Sequence, residues 1–198
     1  GSLDVSNVVD KIIESEKCDQ IDKKLNAFQL HELYNNAHVQ TFANGESIFI
    51  QGQKQLTQVY VLVQGVVMLR RDDDDLRRVN AYNMFGIEGC LYGTLERSAV
   101  VDGMAKTLVI STPVLEAVFG KEEMPAALLE ACVRERLSQI DELSQFHDEQ
   151  RDALAAAFHI RSLAPGEELD TKGVRFVMAM HHDIEVSTDG FRADVRRL

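Results

Sequence analysis

Three groups of side chains in this 198-residue chain have types that could bind a metal or carry acid–base or thiol chemistry. Asp72-Asp73-Asp74-Asp75 places four carboxylates in a row, as a cation site would. The run lies between strand-like segments and ends at Arg77-Arg78, so a solvated hairpin tip is expected rather than a metal cluster. His181-His182 is the second group. Adjacent strand residues point to opposite faces, so the two imidazoles cannot chelate one ion together. With no HxH-plus-carboxylate pattern, a cupin-like metalloenzyme, the rival from another functional class, has little support. Cys18, Cys90 and Cys132 form the third group. An odd number without CxxC spacing fits a reducing cytosol, where cysteine packs as a small hydrophobe. The sequence holds no G-x-S-x-G, P-loop or G-x-G-x-x-G signature. The expectation is a non-enzyme that needs no cofactor.

The formal charge of −11 would repel phosphate backbones and anionic lipid, so neither nucleic acid nor membrane is an expected partner. Hydrophobic residues make up 45%, enough for a globular core. No apolar run approaches the ~20 residues that span a bilayer, and no signal-peptide pattern opens the chain. A cytoplasmic protein is expected. Gly1-Ser2 reads as a remnant of cloning, which implies a natural N-terminus further upstream.

The elements follow from apolar spacing. Residues 3–35 carry Val8, Ile12, Ile13, Ile21, Leu25 and Phe28 at three- and four-residue intervals, a helical period. Asn44-Gly45 marks a tight turn. The period then becomes strand-like through Ile48 and Ile50 and through Val59–Leu69, with Gly65 breaking the run. Further strands are expected around 77–80, 97–102 and 106–111. Short strands separated by glycine turns, with no long helices between them, argue for a compact antiparallel roll. After Pro113 the helical period returns. Leu129, Val133, Leu137, Ile140 and Leu143 mark one face of a helix broken or kinked near Pro125.

The pattern then repeats. Leu25-Asn26-Ala27-Phe28, Phe42-Ala43-Asn44-Gly45-Glu46 and Gln51-Gly52 are matched by Leu143-Ser144-Gln145-Phe146, Leu163-Ala164-Pro165-Gly166-Glu167 and Lys172-Gly173. Each copy leads into a β-rich stretch, Val59–Leu69 and Phe176–Val186, where Met178 and Met180 are expected in a core. The second copy is about half a module, and shortening and degeneration both remain open. The expected organisation is a helical segment over 1–24, a complete domain over 25–136 and a partial second copy over 137–198.

Taken together, Phe42-x-x-Gly45-Glu46, Gln51-Gly52, Tyr60-Val61, Gln64-Gly65, Phe85-Gly86, Tyr92-Gly93-Thr94 and the linker Leu137-Ser138-x-Ile140-x-x-Leu143 resemble the tandem cyclic-nucleotide-binding domains of cyclic-AMP-dependent protein kinase regulatory subunits. The resemblance implies a mainly β fold with flanking helices (α+β), a jelly-roll-like antiparallel β-roll followed by a partial second copy. The family's phosphate-binding cassette reads approximately F-G-E-L-A-L-x-x-x-x-P-R-A-A-T-V. In that motif a short helix and an arginine hold a cyclic phosphate, and the glutamate accepts a hydrogen bond from the ribose 2′-hydroxyl.

The matching stretch here, Phe85–Val101, is one residue longer. Arg97-Ser98-Ala99 aligns with the motif whichever way the extra residue is placed, which makes Arg97 the phosphate ligand that the resemblance implies. If Ile87 is the extra residue, Glu88 takes the sugar-binding position. If it falls between Thr94 and Arg97, Ile87 takes it instead. Glu96 replaces the motif's proline, and a carboxylate there would compete with an incoming phosphate. The implied ligand-binding set is Gly86, Glu88, Gly89, Cys90, Arg97, Ser98 and Ala99. A plainer reading makes Glu88 solvent-facing and Arg97 a surface partner of Glu96 or another acid. Cyclic AMP, cyclic GMP or a nucleoside is the expected ligand. A helix over roughly 125–145 would act as a lid that relays binding to a kinase catalytic subunit or an attached effector domain. The competing expectation is a degenerate, non-binding roll that serves as a protein-interaction scaffold.

Overall fold

The computed structural model describes residues 5–14, 25–54, 57–143, 145–159, 161–173, 177–179, 184–188 and 191–195. Contacts divide the chain into two units, Gly1–Cys132 and Val133–Leu198.

The first unit opens with α1 (Val5–Glu14) and α2 (Ala27–Asn35), so the helical period of 3–35 belongs to two helices rather than one. Asn26 starts α2: its side chain accepts from the Gln29 amide at 2.8 Å, and Gln29 Oε1 accepts from the Asn26 amide at 3.1 Å. This reciprocal box satisfies two amides that the first turn leaves without helical partners. Leu30, Leu33 and Tyr34 turn inward.

Six strands follow: β1 (His38–Phe42), β2 (Ser47–Phe49), β3 (Gln58–Arg71), β4 (Asp74–Arg78), β5 (Met84–Phe85) and β6 (Ser98–Ser111). They form one antiparallel sheet in the order β1-β6-β3-β4, with β2 on β6 and β5 on β3. This is the expected roll. Phe42, Phe49, Tyr60, Leu62, Val67, Leu69, Phe85, Ala99 and Val109 share its core.

The structure redraws two boundaries. The strands expected at 97–102 and 106–111 are one strand, β6, and the stretch that Gly65 was expected to break and Val66–Leu69 to continue is one strand, β3. The pairing of β3 with β6 shifts register on both sides of Gly65, so each strand bends and serves both halves of the roll. A Cβ on Gly65 would sit 1.8 Å from the Met104 carbonyl oxygen, so only glycine lets the two backbones approach this closely. The aspartate run straddles the β3–β4 hairpin. Asp72 and Asp73 are its turn, with φ of 51° and 69°, and Asp74 and Asp75 enter β4.

Two helices close the unit, α4 (Thr112–Phe119) and α5 (Met124–Leu137), the latter continuing into the second unit. Of the break or kink expected near Pro125, the structure shows the break: α4 ends at Phe119, and Pro125 lies in the first turn of α5, where proline costs nothing. The expected helix also stops early. At Leu137 the bonding tightens to three-residue steps, Gln139 to Arg136 and Ile140 to Leu137, while the Ser138 hydroxyl donates to the Glu135 carbonyl. Ile140 and Leu143 therefore lie beyond α5, the latter in a 3-10 turn over Asp141–Leu143.

The second unit holds α6 (Asp148–Ala156) and a hairpin of β7 (Ile184–Thr188) and β8 (Phe191–Val195). Its first part repeats the geometry of the first unit. Adding 121 to the bounds of α2 gives those of α6, and both helices have nine residues. The same shift carries Asn26 and Gln29 to His147 and Gln150, where Gln150 Oε1 again accepts from the cap amide, at 2.9 Å. It carries Gly45 and Gly52 (φ 78° and 81°) to Gly166 and Gly173 (80° and 82°). Glu46 accepts from the Ala43 amide, and Glu167 accepts from the Ala164 amide in the same way. The sequence match of Phe28 to Phe146 is therefore three residues out of step, and the counterpart of Phe28 is Glu149. The cap, not the aromatic residue, sets where the helix begins.

Val177–Ala179 lie outside any strand; Phe176 falls outside the described residues, and the described strand of this stretch is β7, Ile184–Thr188. Met178 is half-buried, and Met180, His181 and His182 fall outside the described residues. No described helix is long and apolar enough to cross a membrane.

Candidate functional site

The cassette lies between β5 and β6 and is built around α3 (Ile87–Tyr92). Its entry is fixed by aromatic packing. Phe49, Tyr60 and Phe85, from β2, β3 and β5, hold ring centroids 5.5–5.9 Å apart. Contacts of this kind contribute about 0.5–1.5 kcal/mol each beyond their burial. Gly86 caps α3 in the left-handed region at φ 79°, and a Cβ there would lie 3.0 Å from the Phe49 ring. Conformation and space both demand glycine at this position. Burial raises the Tyr60 hydroxyl pKa, against a hydrogen bond from Gln58 that lowers it.

The far end of the cassette is pinned to the turn after β2. Gly52 donates its amide to the Leu95 carbonyl at 2.8 Å, Leu95 donates to Gln53 at 3.1 Å, and Lys54 bridges to Thr94. The Gln51 amide donates to Ser98 Oγ at 2.8 Å. The Gln51 side chain reaches the other way, exchanging two 2.9 Å hydrogen bonds with Asp72. Gln51 thus ties the acidic hairpin tip to the cassette. In the sequence Gln51-Gly52 is a framework signal only, because a strut of this kind depends on which loops meet in space.

Between these anchors, the Arg97 guanidinium pairs with the Glu88 carboxylate. Both are buried, Arg97 at 4% exposed and Glu88 at 5%, and Glu96, next to Arg97 in sequence, is buried at 5%. This corrects the plainer reading of a solvent-facing Glu88 and a surface Arg97. An ion pair exists, but it is internal, and Glu88 is an acid in it. Of the two placements of the extra residue, the fold brings Glu88 to Arg97, while Ile87 is an apolar residue buried at 2%.

The other sequence-predicted residues divide into two groups. Gly86 and Gly89 are buried along α3, and the Gly89 carbonyl accepts from Gly93 at 3.0 Å. Cys90 is half-buried with Sγ 3.7 Å from Thr112 Oγ1, and desolvation raises its pKa. Ser98 spends its hydroxyl on the Gln51 amide, and Ala99 is fully buried in the roll's core, in register with Phe49 and Leu69. Among the described residues, no group of three or more His, Cys, Asp or Glu side chains is placed to hold a metal.

No protein-family model matches the sequence, and no curated protein matches it. Solved structures do resemble it. The regulatory subunit of a cAMP-independent protein kinase A from Trypanosoma cruzi, bound to guanosine, superposes with a TM-score of 0.58 at 16% identity, over 79% of this chain and 54% of that one. The regulatory domain of Toxoplasma gondii PKA with cAMP gives 0.56 at 13% identity, over 79% and 60%. The Thermus thermophilus catabolite activator protein gives 0.52 at 22%, over 63% and 61%. This chain thus spans between half and two thirds of the length of these neighbours. The fold is the cyclic-nucleotide-binding β-roll.

Proposed function

We propose that this chain is a regulatory, non-enzymatic module of the cyclic-nucleotide-binding type that works in the cytoplasm, taking a nucleotide or nucleoside at the α3 cassette. The observation that carries this is the buried Glu88–Arg97 pair, set between β5 and β6 of a roll whose neighbours were solved with guanosine and with cAMP. A guanidinium and a carboxylate held side by side out of solvent can recognise the oxygens and hydroxyls of a sugar or a sugar phosphate. The ligand would bias α5, whose Leu128, Ala131 and Cys132 are buried, between two placements that it binds unequally. The partner reading that shift would be a kinase catalytic subunit or an effector domain.

A second reading, a scaffold that has lost its ligand, draws on the fact that Glu88 already neutralises Arg97. A thermal-shift screen with cAMP, cGMP, adenosine and guanosine separates the two. A ligand at ~100 times its dissociation constant stabilises the fold by about 2.7 kcal/mol. A shift with any of the four supports the sensor, and silence from all four supports the scaffold.

A further inference from the structure

We infer that the open edge of β1 pairs with the same edge of a second copy of this chain, joining two rolls through a short antiparallel ladder.

β1 ends the sheet: among the described strands it pairs with β6 only. His38, Val39, Gln40 and Thr41 are all exposed, and only Phe42 is buried. A strand with one covered face would alternate, so neither face of 38–41 is covered. The edge also presents backbone groups. The Gln40 carbonyl faces β6, where Thr107 Oγ1 donates to it at 3.5 Å. Successive residues of an antiparallel strand aim their N–H and C=O groups to opposite sides, so those of Val39 and Thr41 point outward.

An edge of this kind recruits another strand unless charge, proline or a bulge guards it. β1 has none of these guards. His38-Val39-Gln40-Thr41-Phe42 holds no proline and no formal charge, and its five pairs with β6 run without a register shift. The β2–β6, β3–β4 and β3–β6 pairings all shift. At the opposite end of the sheet, β4 carries Asp74, Asp75, Arg77 and Arg78.

Two features make the partner a second copy. Chains of charge −11 repel one another, yet from Leu33 to Gly45 there is no Asp, Glu, Lys or Arg, so contact along β1 opposes no charges. A charged peptide would find no counter-ion on this strand. The strand is also self-complementary. Directly opposite side chains share a face, so a two-fold axis normal to the sheet pairs only residues of like parity. All five residues pair when Gln40 faces Gln40. That register sets Val39 opposite Thr41, the two residues whose outward N–H and C=O groups then exchange hydrogen bonds. A ladder this short falls below the size of permanent interfaces, so the association is weak and reversible.

Analytical ultracentrifugation of the whole chain at up to about 1 mM tests the inference. The expected result is a reversible monomer–dimer equilibrium. Gln40→Lys and Gln40→Glu each set like charges face to face at the axis and should weaken the dimer at least about threefold. An equimolar mixture of the two variants sets opposite charges there and should associate at least about fivefold more tightly than either variant alone. Gln40 is exposed, and melting transitions check that both variants keep the fold. A wild type that stays monomeric over the whole range overturns the inference. So does a dimer that both variants leave unchanged, or a weakening that the mixture fails to reverse.

Discussion

The Met104 carbonyl oxygen lies so close to Gly65 that a Cβ on Gly65 would come within 1.8 Å of it, and the Ala105 Cα within 2.8 Å. These residues sit on β6 and β3, the two fourteen-residue strands that pair along most of their lengths, at the point where their register slips. Gly65 also has φ 96°, a conformation that a side chain resists. The close approach lets one pair of strands serve both halves of the roll. Gly65→Ala should therefore destabilise the protein by about 3–5 kcal/mol, at the severe end for a single methyl group. Urea denaturation measures this, and a loss under about 1 kcal/mol would mean that the bulge relaxes freely.

What the sequence made legible was what local chemistry decides. Gly45-Glu46 and Gly166-Glu167 build the same turn, because the glycine supplies the backbone angle and the glutamate reaches an amide three residues back. The sheet was legible through its alternation and its turns. The cassette was legible as a stretch of chain but not as a site. Whether Arg97 faces in or out depends on the register of β6 against β2 and β3, and contacts that distant leave no mark on the residues beside it. The end of α5 was hidden for a different reason. Ile140 and Leu143 continue the apolar period, while the backbone has already changed its hydrogen-bonding step. The equivalence of Asn26 and His147 was hidden because the two caps have different side chains, while Phe28 and Phe146 are identical residues at non-equivalent positions.

Inside the cassette, each member of the buried pair needs the other. Arg97→Met removes the guanidinium and leaves Glu88 buried without that partner, which should cost about 3–5 kcal/mol of stability. Adding Glu88→Leu removes the stranded charge, so the double variant should be more stable than Arg97→Met alone. Chemical denaturation of wild type, both single variants and the double variant closes the cycle. Additive losses would show that the two residues are stabilised independently.

The turn at Ala164–Glu167 gives a pH signature. The Ala164 amide, and secondarily Arg161, hold the Glu167 carboxyl below the usual carboxylate range. A depressed carboxylate stabilises the fold above its ordinary pKa, and that contribution disappears as pH falls through the lower, folded value. The carboxyl resonance of Glu167 should thus titrate at lower pH than that of an isolated glutamate. Arg161→Ala should move its midpoint up only part of the way, since the amide is the larger cause. An ordinary midpoint in the intact protein would mean that the turn is open in solution.

Cys90 offers a readout that needs no substitution. It lies on α3 two residues after Glu88, half-buried, with Sγ beside Thr112 Oγ1. Burial raises its pKa, outweighing the hydrogen bond with Thr112, and the Glu88 charge adds to the rise. The reactive form of a thiol is its thiolate, so at pH 7.5 Cys90 should alkylate at least about tenfold more slowly than a thiol of the unfolded chain. Cys132 is buried, so quantifying labelled peptides by mass spectrometry keeps the two thiols apart. A nucleoside seated against α3 should slow Cys90 further and leave Cys132 unchanged. Equal protection of both thiols would point to a general tightening of the fold, and acceleration of Cys90 would mean that the ligand opens α3 instead of settling on it.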